Sequence, residues 1–464
     1  MTGTTRAMFT TRPELIGQHG VIASTHWLAS QAGMTIYAQG GNAADAAVAA
    51  GFVLQVVEPH MCGPAGDMPA IVREGSGAVS VVCGQGVAPQ AATIEAIRGL
   101  GLDSIPGTGL LPAVVPGAFD AWLRLARQWG RLRLRDLLAP AISLARAGFP
   151  VSPGLATTLA TVAETMRERW PTSAAIWTRD GEPPAAGTRW TLPGLADTYE
   201  RILRLAEGDG SLSRDQELEA ARAAWYEGFV AEAIGAFCGA TDVWDGTDAP
   251  HRGLLAADDL ARWRATVERP VSTRYHGYEV FKTGPWGQGP VMLQQLALLK
   301  GFPLADLDPL GTEWTHIVLE CAKLAFADRE AWYGDPDFAD IPLAALLDDA
   351  YAEQRRALVG EAASGRLEPG SPGGRAPLLP AYPVIEGDRD FGYLGGGEPT
   401  MQTAPGGATR GDTCHIDAID ASGLAISATP SGGWLQSSPA IPALGFPLGT
   451  RGQMFWLDAR LPGA

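Results

Sequence analysis

The chain has 464 residues, of which 46% are hydrophobic and 19% are charged. This length and composition predict a packed globular protein with a large core and exclude a disordered chain. The net charge of −16 argues against nucleic-acid binding, which depends on Lys and Arg neutralising phosphates. The five cysteines stand far apart, so no disulfide framework is visible, and a reducing compartment is the simpler expectation.

The sequence offers no sign of a membrane, a metal or a cofactor. The first residues lack the apolar stretch of a signal peptide, and no apolar run reaches the length that spans a bilayer. We therefore expect a soluble, cytoplasmic protein without membrane contact. The seven histidines lack the spacing of metal ligands, and no phosphate-binding or dinucleotide-binding motif is present. We therefore expect no metal and no cofactor.

Helices dominate the predicted elements, and strands are grouped near both ends of the chain. The elements predicted in chain order are a strand over 21–24, helices over 28–39 and 43–54, a hairpin from 70–73 and 79–82, helices within 115–150, a mostly helical stretch over 155–345 with strand-like pieces at 271–275 and 278–281, and an amphipathic helix over 312–333. Small residues fill the helix over 43–54, which favours a buried position.

A long loop separates the helical stretch from a second hairpin. Residues 361–412 contain 12 glycines and 7 prolines and have no apolar periodicity, which predicts a loop of functional or disordered character. The pattern then changes at Thr413 to period-two alternation. Two strands, 413–420 and 424–429, flank an Ala-Ser-Gly turn and predict a hairpin.

Thr413 stands where the loop meets the strand, and this position suits one kind of chemistry. If the bond between Asp412 and Thr413 is cut, Thr413 gains a free α-amine with a pKa of roughly 7.7–8.0. That amine can act as general base for the hydroxyl of the same residue. On spacing alone, an ordinary Thr at the start of a strand is the favoured interpretation, because β-branched residues favour strands.

Several motifs, in the same order along the chain, resemble the γ-glutamyltransferase family. They are Gly40-Gly41-Asn42-Ala43-Ala44-Asp45-Ala46-Ala47-Val48-Ala49, Val57-Glu58-Pro59-His60, Val115-Pro116-Gly117, Leu138-Ala139-Pro140-Ala141-Ile142, Gly148-Phe149, Tyr226-Glu227-Gly228, Tyr275-His276-Gly277-Tyr278, Ala325-Phe326-Ala327-Asp328-Arg329 and Thr413-Cys414-His415. The resemblance covers nearly the whole chain.

The resemblance implies an α+β fold of the N-terminal-nucleophile hydrolase type, a four-layer αββα sandwich. It implies a precursor that cuts itself between Asp412 and Thr413, with Thr413 as nucleophile. Ser431 falls where the family has a supporting Thr hydroxyl, and Thr429 is a second hydroxyl candidate. The implied division is a large-subunit-like segment over 1–360, a processing loop over 361–412 and a small-subunit-like segment from 413 to 464, intertwined in a single domain.

The residues expected to bind substrate depart from the family pattern. Gln85 stands where the family has the Arg that holds the substrate α-carboxylate, and an amide cannot replace a charged, two-pronged guanidinium. Gly433 stands where an Asn contacts the donor. Gln453 is retained, but Phe455 and Trp456 follow where the family has carboxylates for the substrate α-amine. These changes remove the charges that recognise a free amino-acid head group.

The sequence continues for only 52 residues from Thr413, so the fold is expected to be incomplete at the C-terminus and to lack the family's oxyanion-hole residues. We expect a self-cleaving amide hydrolase or acyltransferase, which transfers a γ-glutamyl or related acyl group from a small-molecule donor to water or an amine. The cleaved segments would stay associated. The alternatives are a glutaryl- or cephalosporin-type acylase, and a truncated remnant without catalysis.

Overall fold

The computed structural model describes residues 14–381 and 413–464, which form helices around one large antiparallel sheet. The strands are β1 (Gly20–Ser24), β2 (Ala70–Arg73), β3 (Val79–Cys83), β4 (Phe149–Pro150), β5 (Arg189–Trp190), β6 (Val243–Trp244), β7 (Pro250–His251), β8 (Thr266–Glu268), β9 (Val271–Tyr275), β10 (Tyr278–Lys282), β11 (Ile416–Asp420) and β12 (Ala425–Ala428). The helices are α1 (Trp27–Ala38), α2 (Ala43–Val57), α3 (Ile94–Gly99), α4 (Ala118–Trp129), α5 (Leu134–Ala147), α6 (Pro153–Glu168), α7 (Pro171–Trp177), α8 (Pro193–Glu207), α9 (Arg214–Tyr226), α10 (Phe229–Ala240), α11 (Ala257–Arg262), α12 (Gly289–Leu299), α13 (Thr312–Trp332), α14 (Leu343–Leu346) and α15 (Asp349–Arg356).

The large sheet joins the two ends of the chain. Its strand order is β1-β11-β12-β2-β3-β8, and every neighbouring pair is antiparallel. The hairpin β11–β12 therefore lies between β1 on one side and β2 on the other. Strands from the last fifty residues are thus held by backbone hydrogen bonds to strands from the first quarter of the chain.

Helix α2 forms the centre of the core, and the Gly-Gly-Asn-Ala-Ala-Asp motif fixes where it begins. All its residues are buried, and it packs against α1, α5 and the strands β11 and β12. The Asn42 side chain accepts hydrogen bonds from the backbone N–H groups of Ala44 and Asp45, and Asp45 Oδ2 accepts from Asn42 N at 3.0 Å. This capping box satisfies donors that a helix end otherwise leaves unpaired. The motif therefore has a structural use.

Among the described residues, helices pack against one face of the large sheet, and part of the other face is exposed. Ile22, Ile416 and Ile426 are buried on the face that packs against the helices. On the other face, Val21 is 39% exposed and Ile419 is 49% exposed. The described residues thus form one helical layer and one large sheet of the four layers that the sequence implied.

A smaller core lies beside the main one, where α12, α13 and α15 pack together with β9. At its centre the carboxylate of Asp328 accepts hydrogen bonds from Gly370 N at 2.7 Å, Tyr351 Oη at 2.9 Å and Gln294 Nε2 at 3.0 Å. Burial raises the pKa of Asp328, and these donors oppose the rise. Asp328 thereby attaches the first part of the Gly/Pro-rich segment to α13.

The described structure confirms the strand over 21–24, the hairpins near residues 70–83 and 416–428, and the helix over 312–333. It adds the two-residue strands β4 to β7, which the sequence did not predict because such short pairs have no periodicity. The processing loop predicted over 361–412 is described only as far as residue 381, and the division of the chain stays a prediction. Within the described ranges, no helix is long and apolar enough to cross a membrane.

Candidate active site

The candidate site lies at one edge of the large sheet, where four strands begin or end. Because neighbouring strands are antiparallel, β11 and β2 start at this edge, and β12 and β3 end there. Thr413 precedes β11, Ser431 follows β12, Asp67 precedes β2 and Gln85 follows β3. Backbone bridges join Ser431 to both Thr413 and Asp67, with Asp67 N donating to Ser431 O at 2.8 Å and Ser431 N donating to Asp67 O at 3.0 Å.

A hydroxyl pair and an ion pair meet at this edge. Thr413 Oγ1 lies 3.0 Å from Ser431 Oγ. Arg451 Nη2 donates to Ser431 Oγ at 2.7 Å, and Arg451 Nε donates to Asp67 Oδ2 at 2.7 Å. The guanidinium Cζ also lies 4.8 Å from the centroid of the buried Trp434 ring. Sequence reasoning predicted Thr413 and Ser431 as partners but missed both Asp67 and Arg451.

Thr429, the second hydroxyl candidate, has a different partner. Its Oγ1 lies 3.0 Å from His415 Nδ1, and His415 Nε2 lies 3.1 Å from Asp417 Oδ1. His415 and Asp417 are both exposed. Ser431 is therefore the hydroxyl that the structure brings to Thr413, whereas Thr429 contacts His415.

Gly433 has no room for the Asn that the family carries at this position. Its φ is +62°, and a Cβ there would lie 2.7 Å from Gly66 N and 2.8 Å from the carbonyl carbon of Ala65. Gly66 is equally constrained, because its own Cβ would lie 2.1 Å from Ser431 O. The two loops approach so closely that only glycine fits both positions. The donor contact made by Asn is therefore excluded by the backbone.

Of the other expected substrate-binding residues, Gln85 follows β3 at this edge, and Gln453 and Trp456 follow Arg451 in the chain. Gln85 is half-buried and follows Gly84, whose carbonyl accepts from Met68 N at 3.2 Å. Gln453 is 3% exposed, and both polar atoms of its side-chain amide are without a hydrogen-bond partner among the described residues. An unpaired buried amide is costly, and a bound molecule or water can relieve that cost. Trp456 is half-buried, and its backbone N–H donates to Gly463 O at 2.8 Å.

Cys414, beside Thr413, lies in the core. Its side chain is buried in contact with Cys62, which is also buried. Burial raises the pKa of the Cys62 thiol, and contact with Cys414 raises it further. A thiol with a raised pKa is a poor nucleophile, so Cys62 does not favour thiol chemistry at the site.

A buried cluster of His26, Glu58 and His60 lies beside the candidate site. His26 follows β1 at the same edge, and its Nδ1 accepts from Leu28 N at 3.1 Å, which caps α1. Its Nε2 lies 3.8 Å from Glu58 Oε1, and His60 Nε2 lies 3.5 Å from Glu58 Oε2. Burial lowers the pKa of His26 below 6.5, so the folded protein favours the neutral ring.

In the part of the chain that the structure describes, no group of three or more His, Cys, Asp or Glu residues could hold a metal ion.

The lowered pKa of His26 predicts that the protein loses stability in acid. Because the unfolded chain binds the proton more readily, the free energy of unfolding falls as the pH drops through 6.5 and levels off below the folded-state pKa. We expect His26→Asn, which retains a capping side chain, to remove this contribution. Urea unfolding from about pH 7.5 to about pH 5 would measure the wild-type and variant free energies. A difference between them that does not change with pH would contradict the prediction.

Solved structures define the class of the fold. The structure of LmbA2991HD matches with a TM-score of 0.89 at 47% identity, covering 98% of this chain and 75% of that chain. A cephalosporin acylase from Bacillus halodurans matches with a TM-score of 0.79 at 28% identity, covering 100% and 75%. A γ-glutamyltranspeptidase from Helicobacter pylori matches with a TM-score of 0.68 at 26% identity, covering 77% and 97%. The fold is that of the N-terminal-nucleophile hydrolases.

The family model described as Gamma-glutamyltranspeptidase matches residues 29–461, and the chain belongs to that family. The glutathione hydrolase-like YwrD proenzyme of Bacillus subtilis (strain 168) is 34% identical over 348 residues, covering 75% of this chain and 61% of the relative. The acylase ACY 1 proenzyme of Pseudomonas sp. (strain SE83) is 33% identical over 353 residues, covering 74% and 59%. The chain thus spans about three fifths of these relatives. The family predicted from the sequence is confirmed.

Proposed function

We propose that this chain is an amide hydrolase or acyltransferase in which Thr413 is the nucleophile, freed by cleavage of the Asp412–Thr413 bond. The observation that carries the proposal is the 3.0 Å contact between Thr413 Oγ1 and Ser431 Oγ, beside the ion pair of Asp67 and Arg451. Asp412 lies outside the described residues. The two curated relatives are named as proenzymes, which supports a precursor that is cut.

The proposed reaction proceeds through an ester on Thr413. The α-amine gained by cleavage takes the hydroxyl proton, and Oγ1 attacks the carbonyl carbon of a small amide donor. The tetrahedral intermediate then collapses, and the amine leaves with that proton while the acyl group stays on Oγ1. Water or a second amine attacks the ester and carries the acyl group away, and Oγ1 regains its proton. In the first cleavage, the same oxygen attacks the carbonyl carbon of Asp412, the Asp412–Thr413 C–N bond breaks, and the hydroxyl proton passes to the nitrogen that becomes the α-amine. Water then hydrolyses the ester, which releases the Asp412 carboxylate and restores the Thr413 hydroxyl.

The donor class follows from three positions at which the sequence departs from the family pattern. Gln85 offers no charge for a carboxylate, and the backbone around Gly433 leaves no room for an amide side chain. Trp456 offers an indole where the family offers a carboxylate for the donor amine. We therefore propose a donor acyl group without a free amino-acid head group. The two curated relatives carry different names, an acylase and a glutathione hydrolase-like enzyme, so the family itself accommodates such a difference.

A panel of three anilides tests this proposal. γ-Glutamyl, glutaryl and pentanoyl p-nitroanilide share one leaving group and differ only in the head group of the acyl chain. We expect kcat/KM for the glutaryl or pentanoyl donor to exceed that for the γ-glutamyl donor by roughly tenfold or more. A preference for the γ-glutamyl donor would contradict the proposed donor class. No nitroaniline release from any of them by cleaved protein would contradict the proposed hydrolase.

We also propose that the two pieces of a cut chain stay together. The hairpin β11–β12 would belong to the piece that begins at Thr413, and it lies between strands of the preceding piece on both sides. Separation would require breaking both rows of backbone hydrogen bonds in the interior of the sheet.

A further inference from the structure

The contact between Thr413 and Ser431 joins two hydroxyl groups, and either oxygen could donate the hydrogen bond. The direction matters for a nucleophile. If Ser431 donates, Thr413 Oγ1 accepts, and the proton of Thr413 is directed elsewhere, towards a base. If Thr413 donates, its proton is held by Ser431 and the α-amine has none to take.

We propose that Arg451, held by Asp67, is a positioning residue that makes Ser431 the donor and Thr413 the acceptor. This inference rests on the proposed role of Thr413 as nucleophile. Neither Arg451 nor Asp67 belongs to the motifs that the sequence singled out, and the two residues stand 384 positions apart in the chain.

The guanidinium sets the direction because it can only donate. Arg451 Nη2 lies 2.7 Å from Ser431 Oγ, so Ser431 accepts there with one lone pair. A positive charge at this distance polarises the O–H bond of Ser431, which strengthens Ser431 as a donor and weakens it as an acceptor for a second bond. The strengthened donor points at Thr413 Oγ1, 3.0 Å away, where negative charge develops during attack.

Asp67 keeps the guanidinium in this position and compensates its charge. Arg451 Nε binds Asp67 Oδ2 at 2.7 Å, with the Arg451 side chain 20% exposed and the Asp67 side chain 6% exposed. The backbone of Asp67 also pairs with the backbone of Ser431. The two groups that accept hydrogen bonds from Arg451 are therefore held next to each other. Gly432 leaves space for the carboxylate, since a Cβ there would lie 2.8 Å from Asp67 Oδ2. Because Asp67 balances the charge, Arg451 acts on Ser431 rather than as a site for a substrate anion.

A double-mutant cycle on Arg451 and Ser431 tests this inference, with the preferred anilide as substrate. We expect Arg451→Met to lower kcat by roughly 10²-fold with little change in KM, and Arg451→Lys to retain about a tenth of wild-type kcat. In a Ser431→Ala background, Arg451→Met should cause almost no further loss, because Arg451 acts through the Ser431 hydroxyl. The acidic limb of the kcat–pH profile, which reports protonation of the α-amine, should move to higher pH in Arg451→Met, since removal of a nearby positive charge raises the pKa of that amine.

The variant Asp67→Asn/Arg451→Met controls for a buried carboxylate left without its partner, and thermal melting of each variant verifies folding. If the double variant folds as the wild type does, we expect it to retain the kcat defect of Arg451→Met. The inference would be overturned if the kcat losses of Arg451→Met and Ser431→Ala multiply in the double variant, or if the loss is confined to KM. Thr413 would remain the nucleophile in either case. Turnover that persists in Thr413→Ala would instead remove the proposed function, and the inference with it.

Discussion

Replacing Thr413 with alanine is expected to abolish both self-cleavage and amide hydrolysis, lowering kcat by about 10⁴-fold or more. The side chain supplies the attacking oxygen in both reactions, and Ser431 cannot substitute for it. Ser431 lies inside the chain, three residues beyond β12, so cleavage before Thr413 gives it no α-amine. Intact-mass analysis of purified protein after incubation distinguishes the full chain from the pieces 1–412 and 413–464.

The matched control is Thr413→Ser, which keeps the hydroxyl and removes only the methyl group. We expect this variant to cut itself and to hydrolyse amides more slowly than the wild type, because the lost methyl group leaves χ1 less restricted. Equal cleavage of wild type and Thr413→Ala would show that another group or a contaminating protease cuts the chain. A single uncut mass in all three proteins would rule out maturation of this chain alone.

The second large effect concerns stability. Asp45→Ala is expected to lower the free energy of unfolding by about 3–5 kcal/mol. The Asp45 side chain is fully buried and accepts hydrogen bonds from the backbone N–H groups of Asn42 at 3.0 Å, Arg131 at 2.9 Å and Leu132 at 3.1 Å. Alanine leaves all three donors without this acceptor and removes a negative charge from the N-terminus of α2. Urea unfolding monitored by circular dichroism measures the change.

Asp136 provides a control with the corresponding side-chain hydrogen bond at the surface. It lies in the first turn of α5, where Arg133 N donates to Asp136 Oδ2 at 3.3 Å, but it is exposed. We expect Asp136→Ala to cost only about 1 kcal/mol. The N-terminus of α2 lies at the sheet edge opposite Thr413, since Asp420 at the end of β11 accepts from Ala43 N at 3.1 Å. Folded Asp45→Ala should therefore keep its kcat, and equal losses of stability in both variants would contradict the argument.

The hairpin that carries the hydroxyl pair could be predicted from the sequence because it is local. The turn after Asp420 sets the register in which Ile416 pairs with Ala428. Continuing that register outward by three residues on each strand pairs Thr413 with Ser431. The residues between them alternate between the core and solvent, as period-two patterning requires. Local periodicity therefore sufficed to predict the strands, whereas Ser431 was inferred as the partner of Thr413 from the family resemblance.

Asp67 and Arg451 could not be found in the same way. They meet because β2 pairs with β12 and because a loop after Ser431 returns to the sheet edge. Neither the strand pairing nor the return of the loop produces a periodic pattern in the sequence. A single acidic or basic residue next to glycines also occurs in many surface loops. The exclusion of a side chain at Gly433 was equally hidden, since it depends on how closely the backbone at Gly66 approaches.

The position of β11 and β12 inside the sheet has a consequence for how a cut protein would unfold. An intact chain unfolds and refolds as one molecule, so its melting temperature does not depend on protein concentration. A chain cut before Thr413 becomes a heterodimer whose interface is the middle of its own sheet. Its unfolding releases two molecules, so mass action makes its melting temperature rise with concentration. Maturation would thus convert an intramolecular fold into a complex that dilution destabilises.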